Sequence, residues 1–170
     1  MKKMRKGFTL VELLIVIVVI GILSAMMMLS STEATTSAKA TAIVSNLRNL
    51  KTAALAYYAD NMDYFADPNK QTEGLANKQD AIRKYLGNKD NSDLQNDEYI
   101  VTKSSKNSGS WFVSYEIKGS EAEMASIKKK LAGRAKSLGL KGSGAGGRTG
   151  YLDALTDPYT DQKFVVLQVR

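Results

Sequence analysis

The feature that most constrains this chain is an apolar run from Phe8 to Leu29, in which Glu12 is the only formally charged residue. A run of this length can cross about 30 Å of hydrocarbon as an α-helix. A helix that is apolar on every side cannot be covered by one small domain, so it needs lipid or other helices around it. The run therefore predicts a membrane-spanning segment close to the N-terminus.

The charges on either side of the run predict its orientation. Four basic residues precede it, namely Lys2, Lys3, Arg5 and Lys6. The nearest charges after it are Glu33 and Lys39. The positive-inside rule then places the N-terminus in the cytoplasm and everything after Leu29 outside. Small residues such as Ala25 leave a conventional secretory signal, cut after the run, as an alternative.

Glu12 needs an explanation, because a carboxylate in the middle of a bilayer costs roughly 2.5–3.5 kcal/mol. One interpretation is a tolerated side chain that reaches the headgroups. The other interpretation is that Glu12 has a positively charged partner. A cut between Gly7 and Phe8 would leave a terminal ammonium on Phe8, one helical turn from Glu12 and on the same face. The first turn also suits a carboxylate because of the helix dipole. Paired between neighbouring chains, these two charges would fix the axial register of one helix against the next.

The segment "KGFTLVE", residues 6–12, closely resembles the class III signal of type IV pilins and type II secretion pseudopilins. The resemblance implies that a membrane-embedded prepilin peptidase cuts after Gly7 and methylates the new N-terminal residue, Phe8. It also implies that Glu12 pairs with the terminal amine of an adjacent subunit during filament assembly. The implied partners are the peptidase, an inner-membrane assembly platform, other pilins or copies of this chain, and membrane lipid before assembly. The implied location is the inner membrane, followed by a filament in the periplasm or at the cell surface.

One departure from the pattern concerns the end of the apolar run. Many major pilins have a proline there, whereas this chain has Leu29 and no proline before Pro68. Absence of the proline is more usual among accessory subunits of that family. A secretion pseudopilus, a pilus and a competence filament therefore stay open, as does the choice between a major and a minor subunit. The alternative from a different class is a signal-anchored extracytoplasmic binding protein that does not polymerise.

The rest of the chain divides at the first strong helix breaker. Residues 30–64 lack proline and glycine, and Ile43, Leu47, Leu50 and Ala54 recur at helical spacing. We predict a leader (1–7), one helix (8–64) and a globular head (65–170). The helix has a transmembrane or filament-core part (8–29) and an amphipathic stem (30–64).

The head has the pattern of a small α+β unit with an antiparallel sheet over the stem. A short helix is expected from Asp80 as N-cap to a left-handed stop at Gly87, between polar loops at 67–80 and 88–97. Strands are expected at 98–103 and 111–118 as a hairpin, and at 163–170. Between them, Ser120 should cap a helix over 121–137 that stops at Gly139.

Composition removes most catalytic chemistry. The chain has no cysteine and no histidine, which excludes disulfides, thiol nucleophiles, imidazole bases and Cys/His zinc sites. Gly142, Gly144 and Gly147 match a dinucleotide-binding string, but they follow a predicted helix and are better interpreted as a flexible loop. We do not predict an enzyme, and we expect no organic cofactor.

Calcium is the one metal that the sequence favours. Asp153, Asp157 and Asp161 are spaced every four residues near the C-terminus, and clusters of carboxylate oxygens bind calcium. Heads of major pseudopilins often carry a calcium loop in this region. We expect Asp157 and Asp161 to be the ligands, and a plain turn at Asp157-Pro158 is the alternative.

Basic residues give weak support for a nucleic-acid partner. The net charge is +7, but four of these charges belong to the leader. The predicted third helix contains a further basic stretch, formed by Lys128, Lys129, Lys130, Arg134 and Lys136. A solvated helix face is the expected role of this stretch, and contact with DNA phosphates is the alternative.

Overall fold

The computed structural model describes residues 7–62, 79–87, 99–103, 110–144 and 155–169. The leader up to residue 6, the predicted loop segments at 67–78 and 88–97, Gly147 and Asp153 lie outside these residues. The chain forms two units, residues 1–35 and residues 36–170.

The second unit is α+β, as predicted. In chain order the elements are α1 (Leu10–Asp60, which runs through both units), α2 (Gln79–Arg83), β1 (Tyr99–Lys103), β2 (Trp111–Glu116), α3 (Glu121–Leu138), β3 (Leu140–Ser143), β4 (Leu155–Thr156) and β5 (Phe164–Gln168). The strands form one antiparallel sheet in the order β1-β2-β5-β3-β4.

Helix α1 confirms the amphipathic pattern of the predicted stem. Ile43, Leu47, Leu50 and Ala54 are buried at 5% exposure or less, together with Tyr57. They pack into one core with the inner face of the sheet and with α3. The helix begins at Leu10 and ends at Asp60, two residues later and four residues earlier than predicted.

The predicted hairpin is present, with Val101 opposite Val113. The C-terminal strand β5 lies between β2 and β3, so it is a central strand and not an added edge. Central strands are buried on both faces, and Val165 and Val166 on β5 are both fully buried. The single tryptophan, Trp111, lies on the inner face, edge-on to the Tyr58 ring at 5.5 Å between centroids.

Both predicted caps of α3 are confirmed. Ser120 Oγ accepts a hydrogen bond from the Glu123 amide at 3.4 Å, and Gly139 ends the helix in the left-handed region at φ 66°. Two polar contacts join α3 to α1 on the surface of the core. The Glu123 carboxylate pairs with Lys39, and Arg134 donates to Thr41 Oγ1 at 3.4 Å.

The prediction for the short helix was right at its end and wrong at its start. Gly87 adopts φ 69° and closes the segment after one turn of 3-10 helix. Asp80 is not the N-cap, because it is already the second residue of α2. Its carboxylate instead accepts from Arg83 within the helix at 3.5 Å. A carboxylate is also favourable inside a first turn, so composition alone did not fix the boundary.

The Gly-rich segment was wrongly interpreted as loop throughout, since Leu140–Ser143 form β3. Glycine is rare in strands, but here a side chain at position 142 would displace the side chain of Gln162. A Cβ on Gly142 would lie 1.9 Å from Oε1 of Gln162. That Gln162 oxygen accepts from the Thr160 amide, so the C-terminal turn packs directly on the backbone of β3.

Candidate processing and assembly site

The residues with a predicted processing role precede the first turn of α1. Gly7, Phe8 and Thr9 are non-helical, and the helix begins at Leu10. Phe8 is 85% exposed, and Gly7 is exposed as well. A Cβ added to Gly7 meets no described atom within 4 Å. The fold of the described residues therefore does not itself require glycine at this position.

Glu12 is held by its own chain, in a capping box with Thr9. The Thr9 amide and the Thr9 hydroxyl donate to Glu12 Oε2 at 2.8 and 2.7 Å. In return, the Glu12 amide donates to Thr9 Oγ1 at 3.2 Å. Reciprocal bonds of this kind satisfy amides that a helix N-terminus otherwise leaves without partners.

These bonds account for a carboxylate in an apolar run without any neighbouring chain. Hydrogen bonds to a charged acceptor are stronger than those between neutral groups. The capping box supplies two of them to Glu12 from within its own chain. It thus reduces the cost of a carboxylate beside apolar residues.

Thr9 is a residue that the sequence analysis missed. The signal was present, because a Thr followed three residues later by Glu before an apolar run is the capping-box pattern. That pattern was predicted at Ser120, whereas Glu12 was explained by an ion pair, by the helix dipole or as a tolerated side chain. A charged partner and a helix cap can both explain the carboxylate at position 12, since a carboxylate has two oxygens.

The apolar part of α1 is exposed on all sides. The most apolar stretch of the helix has no buried residue, and by length and composition it could cross a membrane. Among the large apolar side chains from Phe8 to Met28, the least exposed is Val19 at 48%. The described chain therefore covers no side of this segment, and its surface suits lipid or copies of the same helix.

The proposed calcium ligands both have protein partners. Asp157 Oδ2 lies 3.1 Å from the Lys141 ammonium, and Asp161 Oδ1 accepts from the Thr160 hydroxyl at 3.2 Å. Within the described segments there is no group of three or more His, Cys, Asp or Glu side chains placed to hold a metal. Asp153 lies outside those segments. Calcium at Asp157 and Asp161 stays a prediction.

The basic stretch lies on α3 as expected. Lys129, Arg134 and Lys136 are exposed, whereas Lys128 and Lys130 are half-buried. The buried side of α3 is formed by Ile127, Leu131 and Ala135. The cations thus surround the solvent side of the helix.

Comparison with known proteins supports the same N-terminal motif. Residues 2–28 match the prokaryotic N-terminal methylation motif. A fimbrial protein of Neisseria meningitidis serogroup A / serotype 4A is 29% identical over 124 residues, which cover 73% of this chain and 67% of that protein. No solved structure matches the chain significantly. The match to the relative extends well beyond the N-terminal motif, because it covers more than four times as many residues.

Proposed function

We propose that this type IV pilin-like protein is the precursor of a filament subunit, cut between Gly7 and Phe8, methylated at Phe8 and polymerised through its apolar helix. The observation that carries the proposal is the exposure of apolar side chains on every side of α1 up to Met28. Such a surface is stable in lipid before assembly and between packed helices afterwards. The match of residues 2–28 to the methylation motif supports the processing step.

The geometry at the cut supports access by a peptidase. Gly7 and Phe8 are exposed and precede the helix, so their peptide bond is not tied into helical hydrogen bonding. A requirement for glycine at position 7 would then come from the peptidase and not from packing, because a Cβ there meets no described atom. In this proposal the N-terminus is cytoplasmic and residues after Leu29 lie outside the inner membrane.

The proposed filament is a pilus in preference to a secretion pseudopilus. The name of the Neisseria relative, a fimbrial protein, favours the pilus. In assembly, Glu12 meets the N-terminal ammonium of a neighbouring subunit and so checks the axial register. The partners are prepilin peptidase, the inner-membrane assembly platform, and other pilins or copies of this chain.

Mass spectrometry of the N-terminus of the assembled protein tests this proposal. We expect a mature chain that begins at methylated Phe8. Gly7→Ala should leave the fold unchanged, since the added methyl has space, and should block the cut. An intact Met1 in the wild-type protein, or a cut near Ala25, would contradict the proposal. A Gly7→Ala chain that matures normally would remove the assigned role of Gly7.

DNA binding by an accessory subunit is a second candidate, favoured by one observation. Lys128, Lys129, Lys130 and Lys136 form no ion pair with any other described residue. Binding through these side chains would weaken steeply with salt, as phosphate contacts do. Affinity for duplex DNA that is independent of salt, or unchanged when the four lysines are replaced, would count against it.

A further inference from the structure

We propose that the Met triplet, formed by Met26, Met27 and Met28, is a modification site: oxidation of its thioethers to sulfoxides by peroxide keeps a subunit out of the filament. The inference rests on the proposed function and adds a control of assembly to it. It concerns side chains to which neither the cut nor the ion pair of Glu12 assigns a role.

The side chains of the Met triplet are more exposed than the apolar side chains before them. Met26, Met27 and Met28 are 65, 76 and 78% exposed, whereas the large apolar side chains from Leu13 to Leu23 are between 48 and 59% exposed. Successive residues of a helix are rotated by about 100°, so three in a row cover more than half of its circumference. The triplet therefore presents a thioether to a helix that packs on almost any side of α1.

The Met triplet lies where apolar side chains give way to polar ones. Ser30, Ser31 and Thr32 follow it in the sequence, and the Thr32 hydroxyl donates to the Met28 carbonyl at 3.1 Å. Met26 is four residues before Ser30, a distance of about 6 Å along a helix. In a single membrane-inserted subunit, the sulfur atoms are therefore within reach of an oxidant dissolved in the water outside the membrane.

Peroxides are the class of oxidant that this site would take. The lone pair of a thioether sulfur attacks one oxygen of hydrogen peroxide, the O–O bond breaks, and the products are a sulfoxide and water. The sulfur loses two electrons and the peroxide gains them, so no further reactant is needed. The chain has no cysteine, so no thiol of its own competes for the peroxide.

A sulfoxide has different consequences in the membrane and in the filament. At the membrane surface its oxygen can turn toward water, because the unbranched methionine side chain is flexible. Between packed apolar helices, the same oxygen meets backbone amides that already bond within their own helix. An unpaired polar group buried in this way reduces association by a factor of roughly ten to a hundred. Oxidation thus acts on the step from membrane to filament.

Met62 provides an internal control for the Met triplet. It lies in the second unit, beyond the end of α1, and it is 59% exposed, close to the 65% of Met26. The same oxidant can therefore reach Met62, but the apolar run does not include it. Sulfoxide at Met62 should leave assembly unchanged.

The experiment follows both sites through reassembly. Cells that express the chain are sheared to remove filaments, treated briefly with a low dose of hydrogen peroxide, and allowed to assemble filaments again. Mass spectrometry compares the sulfoxide fraction of each site in the membrane pool and in the new filaments. We expect about tenfold depletion of triplet sulfoxide from the filaments and no depletion of Met62 sulfoxide. Because both sites are measured on the same chains, damage to other proteins does not affect the comparison.

Three outcomes would overturn the inference: equal triplet sulfoxide in the pool and the filaments, equal depletion at the triplet and at Met62, or a triplet that stays unoxidised while Met62 reacts. In each of these cases filaments of chains that begin at methylated Phe8 still form, so the proposed function stands. If untreated cells form no filaments and methylated Phe8 is absent, the proposed function fails, and the inference fails with it.

Substitution of Met27 tests the same step without an oxidant. Met27→Gln places a neutral polar side chain in the Met triplet, whereas Met27→Leu keeps the position apolar at similar volume. As minority chains among wild-type subunits, distinguished by mass, we expect Met27→Gln to enter filaments about tenfold less than Met27→Leu. Met62→Gln and Met62→Leu are the matched pair and should enter equally. Equal entry of the two Met27 variants would overturn the inference.

Discussion

At the scale of single residues, Glu12 has one role that the structure shows and a second that we propose. As the third residue of α1 it completes a capping box with Thr9, which satisfies its carboxylate within one chain. In the proposed function the same carboxylate accepts the ammonium of another chain. That ion pair would explain why the residue is an acid, because glutamine would cap a helix nearly as well.

Replacing Glu12 by glutamine separates these roles. Glu12→Gln should mature normally and keep the start of α1, since the amide oxygen can accept from Thr9. We expect assembly to fall about a hundredfold or more, because an unpaired buried ammonium costs roughly 3–5 kcal/mol. Glu12→Ala is the control that loses the cap as well and should assemble no better. Filament yield and the mass of the N-terminus measure the two steps, and normal assembly of Glu12→Gln would contradict the ion-pair role.

At the scale of elements, β3 contains a glycine on which a side chain of the C-terminal turn packs. The Gln162 side chain crosses over Gly142, where Oε1 accepts from the Thr160 amide at 3.1 Å and Nε2 donates to Thr160 Oγ1 at 2.8 Å. Tyr159 is buried beside this turn, and its amide donates to the Leu140 carbonyl at 2.9 Å. In a chain without disulfides, strand pairing and this turn hold the C-terminal region.

Gly142→Ala should therefore destabilise the second unit by about 1–2 kcal/mol, the value of the two Gln162 bonds that the new methyl displaces. Gly144→Ala is the matched control, because a Cβ there meets no described atom within 4 Å, and it should change stability by roughly 0.5 kcal/mol or less. Denaturant unfolding, followed by the fluorescence of Trp111, measures both variants. In a Gln162→Ala background the cost of Gly142→Ala should largely vanish, and an unchanged cost would refute the steric explanation.

The elements that could be predicted from the sequence are those with a local signal. The stripe through Ile43 and Leu47, and the caps at Ser120 and Gly139, depend on residues within a few positions of each other. Strand β3 could not be predicted, because its partner β5 lies more than 20 residues away and the reason for Gly142 is the distant side chain of Gln162. Thr9 had a local signal, which the charge argument for Glu12 obscured.

At the scale of the whole molecule, the chain has no histidine, and Glu116 and Tyr159 are two of the described groups whose perturbed pKa values make stability depend on pH. A hydrogen bond from Lys163 holds the pKa of Glu116 below its usual value, with help from the charges of Lys163 and Lys118. Burial raises the pKa of Tyr159 well above its usual value, and the charge of Asp161 adds to this shift. The two groups act at opposite ends of the pH scale.

The direction in which each group changes stability with pH follows from the linkage between protonation and folding. The folded state favours ionised Glu116, so this stabilisation is complete above the ordinary glutamate pKa and is lost as pH falls through the lower, folded pKa. The folded state also favours neutral Tyr159. This second stabilisation is complete below the ordinary tyrosine pKa, about 10, and is lost as pH rises beyond it. Without histidine, we expect the free energy of unfolding to be nearly constant between about pH 6 and 9.

Substitutions of Glu116 and Tyr159 test the acidic and the alkaline end of the dependence of stability on pH. Glu116→Gln should lower stability at neutral pH and reduce the decline in acid. Tyr159→Phe should reduce the alkaline decline, although it loses the hydroxyl bond to the Gln162 carbonyl at 3.0 Å. Urea unfolding of the full chain in detergent, followed by Trp111 fluorescence from pH 3 to 11, provides the profile. A marked change of stability between pH 6 and 9, or an acid decline that survives Glu116→Gln in full, would show that groups other than these two control it.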